Sequence, residues 1–195
     1  MNNTAEKKGK SLIILGIDPG TRITGYGLIK SEQSVSTPLD FGCIRPPAHL
    51  PAAQRYLAIF NAIEQLMEAY KPDAVSIETQ FVYKNVQSAM KLGMARAVAM
   101  LPAARRNVPV FEYAPRKAKL AVVGNGGASK IQVQKMVQLI LKLAQLPQPE
   151  DAADALALAL CHANTLKFGK NLCLNTSKAS SSSLPRSMPS LTSAG

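Results

Sequence analysis

The sequence predicts an α/β fold, a mixed five-stranded sheet in which an antiparallel meander joins parallel strands, flanked by helices. Three observations predict it. Three strand-like runs follow one another before any helical stretch, and each later strand-like run follows a helix, as crossover connections require. Two of the runs also end in a carboxylate, in a chain with only 12 Asp and Glu against 23 Lys and Arg. Three consecutive meander strands argue against a doubly wound dinucleotide-binding fold.

The elements follow in order. Residues 1–10 are polar and predict a disordered extension. The run Ser11-Leu-Ile-Ile-Leu-Gly-Ile-Asp18 reads as a buried strand over 12–18, and Pro19-Gly20 turns the chain. Residues 24–30 and 35–44 alternate as two further strands. Leu50, Leu57, Phe60, Ile63, Leu66 and Met67 give 50–70 helical spacing. Ala74-Val-Ser-Ile-Glu78 is a short strand, followed by a polar loop over 79–85. A helix over 86–105 and a strand over 109–113 come next. A basic, loop-rich segment spans 114–130, then a helix 131–144. Pro147 and Pro149 break the chain before a last helix at about 150–164. The folded domain is expected over 11–166, and the Ser-rich, basic stretch 167–195, with little to pack, is expected to be a disordered tail.

The formal charge of +11 favours nucleic acid or another anionic surface as partner, because each neutralised phosphate releases condensed counterions. Cys43, Cys161 and Cys173 are odd in number and lack CxxC spacing, which argues against a disulfide scaffold or a zinc site and for a reducing compartment. The apolar run near the N-terminus stops at Asp18, too short for a signal peptide, so the cytoplasm is expected.

Carboxylates at strand ends are costly unless paired, hydrogen-bonded or metal-bound. Asp18 and Glu78 occupy such ends, where loops gather and catalytic groups are common. Asp151 and Asp154, at i and i+3, share a helix face. Asp151 also suits a helix's first turn on electrostatic grounds alone, and Asp18 could simply hydrogen-bond its turn. Asp154 lies inside an Ala/Leu run and needs a partner. Four hard oxygen donors suit Mg²⁺ or Mn²⁺ better than zinc, and two such ions about 4 Å apart clamp the attacking and leaving oxygens of a phosphodiester. Arg116, Lys119 and Lys130, with Gly124, Gly126 and Gly127 among them, supply charge and close backbone approach for phosphate. Phe81 and Tyr83, beside Lys84, offer rings for base stacking or anchors for their loop. Ala89, Gly93 and Ala97 form a small-residue stripe that allows close helix approach, either to a second copy or to the chain's own sheet.

Taken together these residues resemble the RuvC family of bacterial Holliday-junction resolvases, in the RNase H-like superfamily. The resemblance rests on Ile-Leu-Gly-Ile-Asp-Pro-Gly-Thr-Arg-Ile-Thr-Gly-Tyr-Gly (14–27), Ile-Glu-Thr-Gln-Phe (77–81) and Ala-Met-Lys-Leu-Gly-Met-Ala-Arg (89–96). It continues in Val-Val-Gly-Asn-Gly-Gly-Ala-Ser-Lys (122–130) and Asp-Ala-Ala-Asp-Ala-Leu-Ala (151–157). It implies a catalytic tetrad of Asp18, Glu78, Asp151 and Asp154 binding two Mg²⁺, with Mn²⁺ able to substitute. It also implies Lys119 and Lys130 near the scissile phosphate, Phe81 against junction bases, and a homodimer contact on the helix carrying Ala89 and Gly93. Thr79 departs from the Gln usual after the glutamate. The expected activity is symmetric paired nicking of four-way DNA junctions, in recombination and repair, with the RuvA and RuvB branch-migration complex as partners. Asp-Pro-Gly-Thr also resembles the phosphate loop of actin-like ATPases and sugar kinases, which need a second nucleotide-binding lobe; a non-enzymatic junction-binding protein is the other alternative.

Overall fold

The computed structural model describes residues 11–33, 35–79 and 86–179, with backbone alone from 167 onward. β1 (Leu12–Asp18) occupies the centre of a five-stranded sheet ordered β3-β2-β1-β4-β5. β2 (Thr24–Glu32) and β3 (Val35–Ile44) complete the antiparallel meander, while β4 (Ala74–Glu78) and β5 (Val110–Tyr113) add in parallel beyond β1. The mixed sheet is as expected.

Period-two alternation sorts β1 into two faces. Leu15 and Ile17 pack with Val75 and Ile77 of β4 against α1 (Ala52–Tyr70) and α2 (Val86–Arg105), through Ile59, Ile63, Met67, Ala95 and Ala99. Ile14 turns the other way, into a core with α4 (Lys130–Leu141) and α5 (Glu150–Ala179). Gly16 and Asp18 share that second face by alternation, as do Ser76 and Glu78 of β4. The carboxylates at both strand ends therefore face α5.

Two glycines let α5 come down onto the sheet. A Cβ on Gly16 would run into the backbone carbonyl of Ala155, and one on Gly25 into that of Asp151. Alanines on α5 complete the close approach, with Ala152, Ala153, Ala155 and Ala159 all at 0% exposure.

Two expectations need correction. The segment 114–130 contains a helix, α3 (Pro115–Val123), with proline at its first turn and Gly124 as a left-handed cap. The last helix does not end near 164; its backbone runs to Ala179, with no proline to break it before Pro185. Of the expected disordered segments 1–10 and 167–195, the backbone of 167–179 continues α5, while 1–10 and 180–195 lie outside the described residues.

Candidate active site

Asp18, Glu78 and Asp154 line one cavity of about 270 Å³ together with Lys119 and Lys130. Pro115, Ala118, Val133 and Ala157 form its apolar wall. Three elements far apart in sequence deliver the acids. β1 and β4 are in register through Gly16↔Ser76 and Ile17↔Ile77, so Asp18 and Glu78 end adjacent strands side by side. Asp154 reaches them from the second turn of α5.

Asp151 is placed differently from Asp154. It does not line the cavity; its backbone rests on Gly25, which pairs with Asp18 across the sheet. Its charge nevertheless acts on Asp18. Asp151 thus stands at the rim, on the β2 side.

Burial is the largest cause of the site's unusual acidity. It pushes the Asp18 carboxyl up to about 8, helped by repulsion from Glu78, Asp154 and Asp151 and opposed by Lys130. Glu78 is pushed up to about 7 by burial and then by Asp154, against Lys119 and Lys130. Asp154 is raised by burial, with Lys130 the main opposing charge. Carboxyls that resist ionising on their own, in an all-oxygen donor set without histidine, fit a hard divalent cation, whose charge would reverse each of these penalties. Among the described residues no three acidic, Cys or His side chains are drawn together tightly enough to form a metal cage.

The basic wall is built by local rules. Ser129 caps α4 with a complete capping box: its hydroxyl accepts from the Gln132 amide, and the Gln132 side chain accepts from the Ser129 amide at 2.8 Å. Lys130 therefore begins the helix, where a cation opposes the macrodipole. Its Nζ is held by Glu150 at 3.2 Å and Asp154 at 3.8 Å, and the Glu150 contact is the main cause raising its pKa. Lys119 on α3 donates to the Ala128 carbonyl at 2.8 Å, joining α3 to the lead-in of α4. Arg116 does not line the cavity; its side chain lies over Gly126 and is exposed. Phe81 and Lys84 fall outside the described residues.

One supporting pair escaped the sequence reading. Tyr113 ends β5 opposite Glu78, accepts from the Thr79 amide at 2.9 Å, and contacts Nδ1 of buried His162 on α5 through its hydroxyl at 2.7 Å. The pair ties the end of the β4–β5 ladder to α5. The strand Val-Phe-Glu-Tyr shows alternation in sequence but nothing that links it to His162.

The small-residue stripe of Ala89, Gly93 and Ala97 lies on the side of α2 away from the core. Ala95, Ala99 and Ala103 are buried against the core, whereas Gly93 and Ala97 point outward. Ala89 is half-buried at the shoulder. A Cβ on Gly93 would meet nothing within 4 Å. Met90 and Leu101, at 58% and 51% exposure, extend the outward face.

Known proteins resemble this chain in sequence and in fold. The family described as crossover junction endodeoxyribonuclease RuvC matches residues 14–162. A protein of that description from Protochlamydia amoebophila is 62% identical over 152 residues, covering 78% of this chain and 90% of its own. One from Dehalococcoides mccartyi is 48% identical over 155 residues, covering 80% and 93%. Thermus thermophilus RuvC, solved in complex with a Holliday junction substrate, aligns at 33% identity with a TM-score of 0.77, covering 81% of this chain and 96% of that one. The yeast mitochondrial Holliday junction resolvase, at 16% identity and a TM-score of 0.59, shares the fold over 88% of this chain and 87% of its own. With the family model matched over residues 14–162 and relatives 62% and 48% identical, the chain belongs to the RuvC family of crossover junction endodeoxyribonucleases.

Proposed function

We propose that this chain resolves four-way (Holliday) DNA junctions by hydrolysing one phosphodiester in each of two strands of like polarity, leaving ligatable ends. The observation that carries the reading is the convergence of Asp18, Glu78 and Asp154 on a cavity walled by Lys119 and Lys130. Acids alone would repel DNA, and lysines alone would bind it without cutting; their juxtaposition fits phosphodiester hydrolysis.

Asp18, Glu78, Asp151 and Asp154 would hold two Mg²⁺, with Mn²⁺ able to substitute. When bound, such ions supply activation of water and neutralisation of charge on the phosphate. Lys119 and Lys130 bind non-bridging phosphate oxygens and hold the scissile group over the acids. Asp18, and in part Glu78, hold protons near neutrality without a cation and would give them up as the site fills. The apolar wall of Val133 and Ala157 limits water at the reacting group.

Paired cutting needs two sites. We assign a homodimer to the outward face of α2, where Gly93 and Ala97 admit a close partner helix and Met90 and Leu101 supply apolar area. Phe81, Lys84 and Arg116 are assigned to junction contacts, and RuvA and RuvB to the family's branch-migration partnership. Among the described residues no helix is long and apolar enough to cross a membrane, and we assign the activity to the cytoplasm.

The deciding experiment compares nicking of a synthetic four-way junction and a linear duplex of the same sequence, with Mg²⁺ and with chelator. Symmetric, Mg²⁺-dependent nicks in the junction alone are expected. Equal cutting of both substrates, or binding without cutting, would overturn the reading.

A further inference from the structure

We propose that Arg22 and Arg45 form a second phosphate-holding arm of this site, gripping the junction strand on the far side of the carboxylates from Lys119 and Lys130. The inference rests on the junction-cleaving function proposed above and adds residues to it.

The sheet register places them. Asp18 pairs with Gly25, and Gly25 with Cys43, so one row crosses from β1 to β3 at the catalytic end of the sheet. Thr24 and Ile44 are the last pair of the β2–β3 ladder, so Arg45 follows directly on one strand while Arg22 lies just before the other. Both are exposed. β3 lies two strand spacings from β1, about 10 Å, which suits a neighbouring phosphate on the strand being cut. Asp151 sits on Gly25 between the arms.

Two further features favour a binding role over a solvated surface. Among the described residues neither arginine makes an ion pair. The turn that carries Arg22 is held firmly: Thr24 Oγ1 donates to the Gly20 carbonyl at 3.0 Å, and Arg55 of α1 donates to the Thr21 carbonyl. A guanidinium on a fixed turn is preorganised for forked hydrogen bonding to phosphate. Held only by Lys119 and Lys130, a strand could pivot about the scissile group; a second grip on the other side fixes its direction across the acids.

The test titrates a fluorescent four-way junction with the full-length chain, metal-free, across a salt series. It compares wild type with the Arg22→Ala/Arg45→Ala double variant and with Arg45→Lys. The double variant is expected to bind about tenfold more weakly at low salt, with a slope of log affinity against log salt shallower by about 0.9, the share of the one phosphate no longer neutralised. Arg45→Lys should keep the wild-type slope. A scan of single methylphosphonates beside the cleavage site should find one neutralised phosphate that weakens wild-type binding and leaves the double variant unaffected. Thermal midpoints check folding, and a glutamine pair replaces the alanines if they lower it. An unchanged salt slope and an unchanged methylphosphonate profile would overturn the inference. Wild-type preference for junction over duplex, measured in the same titrations, shows separately whether the underlying function holds.

Discussion

Replacing Asp18 by asparagine should remove catalysis and yet stabilise the metal-free protein at alkaline pH. In the unfolded chain this carboxyl ionises near its ordinary value of 3.8, whereas in the fold it keeps its proton up to about 8. Between those limits the unfolded state loses a proton that the folded state retains, so stability falls as pH rises across the window. At about 1.4 kcal/mol per pH unit, the full penalty has a ceiling of about 6 kcal/mol. Glu78, also raised, to about 7, shares the repulsion by holding a proton of its own. Neutralising Asp18 alone should therefore recover about 2–3 kcal/mol above pH 8, or roughly 4–10 °C in midpoint for a chain of this size. Thermal melts of wild type and Asp18→Asn in chelator, at about pH 4.5 and pH 8.5, measure it. The variant should be the more stable at the higher pH and nearly equal at the lower. Added Mg²⁺ should raise the wild-type midpoint far more than the variant's. Equal midpoints at both pH values, or a variant less stable at the higher one, would refute the picture of a strained carboxylate cluster awaiting a cation.

Other perturbations test other parts of the site. Glu78→Gln, Asp151→Asn and Asp154→Asn should each abolish Mg²⁺-dependent nicking while junction affinity holds or improves, since each removes repulsion of DNA; near-normal nicking by one removes that residue from the site. Gly93→Glu, at a position with open space around it, should leave the protomer folded and shift light scattering from dimer to monomer, with loss of paired cuts. Gly25→Ala should destabilise by about 1–3 kcal/mol and slow cleavage at least tenfold, because its methyl would displace α5 at Asp151. Truncation after Leu166 should spare the melting transition, as Ala163 is the last buried core position on α5 among the described residues, while the loss of Lys170, Lys178 and Arg186 weakens junction binding at low salt.

Much of this was legible in the sequence, and the reasons differ from residue to residue. Asp18 and Glu78 stood out because an apolar run ending in a carboxylate is rarely neutral in energy, and Asp154 because it interrupts Ala/Leu positions. The meander followed from one continuous apolar run and two alternating ones, with a turn signal between the first two. α3 was hidden by its own chemistry: Arg116, Lys117 and Lys119 crowd a short segment that ends in glycine, which reads as loop although Pro115 and Gly124 mark its two ends. The i, i+3 spacing placed Asp151 and Asp154 on one face of α5, yet could not separate a cavity-lining acid from a rim acid. That distinction depends on where the helix meets the sheet.

Where it meets the sheet is decided by side chains that are absent. With side chains at the sheet positions beneath it, α5 would stand farther from the sheet and its aspartates farther from the acids at the strand ends. Gly16 and Gly25 remove the Cβ atoms that would strike the carbonyls of Ala155 and Asp151, and the alanines of α5 lower it further. The catalytic geometry therefore rests on residues that carry no chemistry. The same closeness strips water from Asp18 and raises its pKa, so the packing that assembles the acids also makes them costly to ionise without a cation. Metal dependence and tight packing are then one property of this fold, and a variant that relaxes the contact at Gly25 should bring the Asp18 pKa down as it loses activity. An Asp18 titration left unchanged in Gly25→Ala, followed by carboxyl NMR, would separate the two.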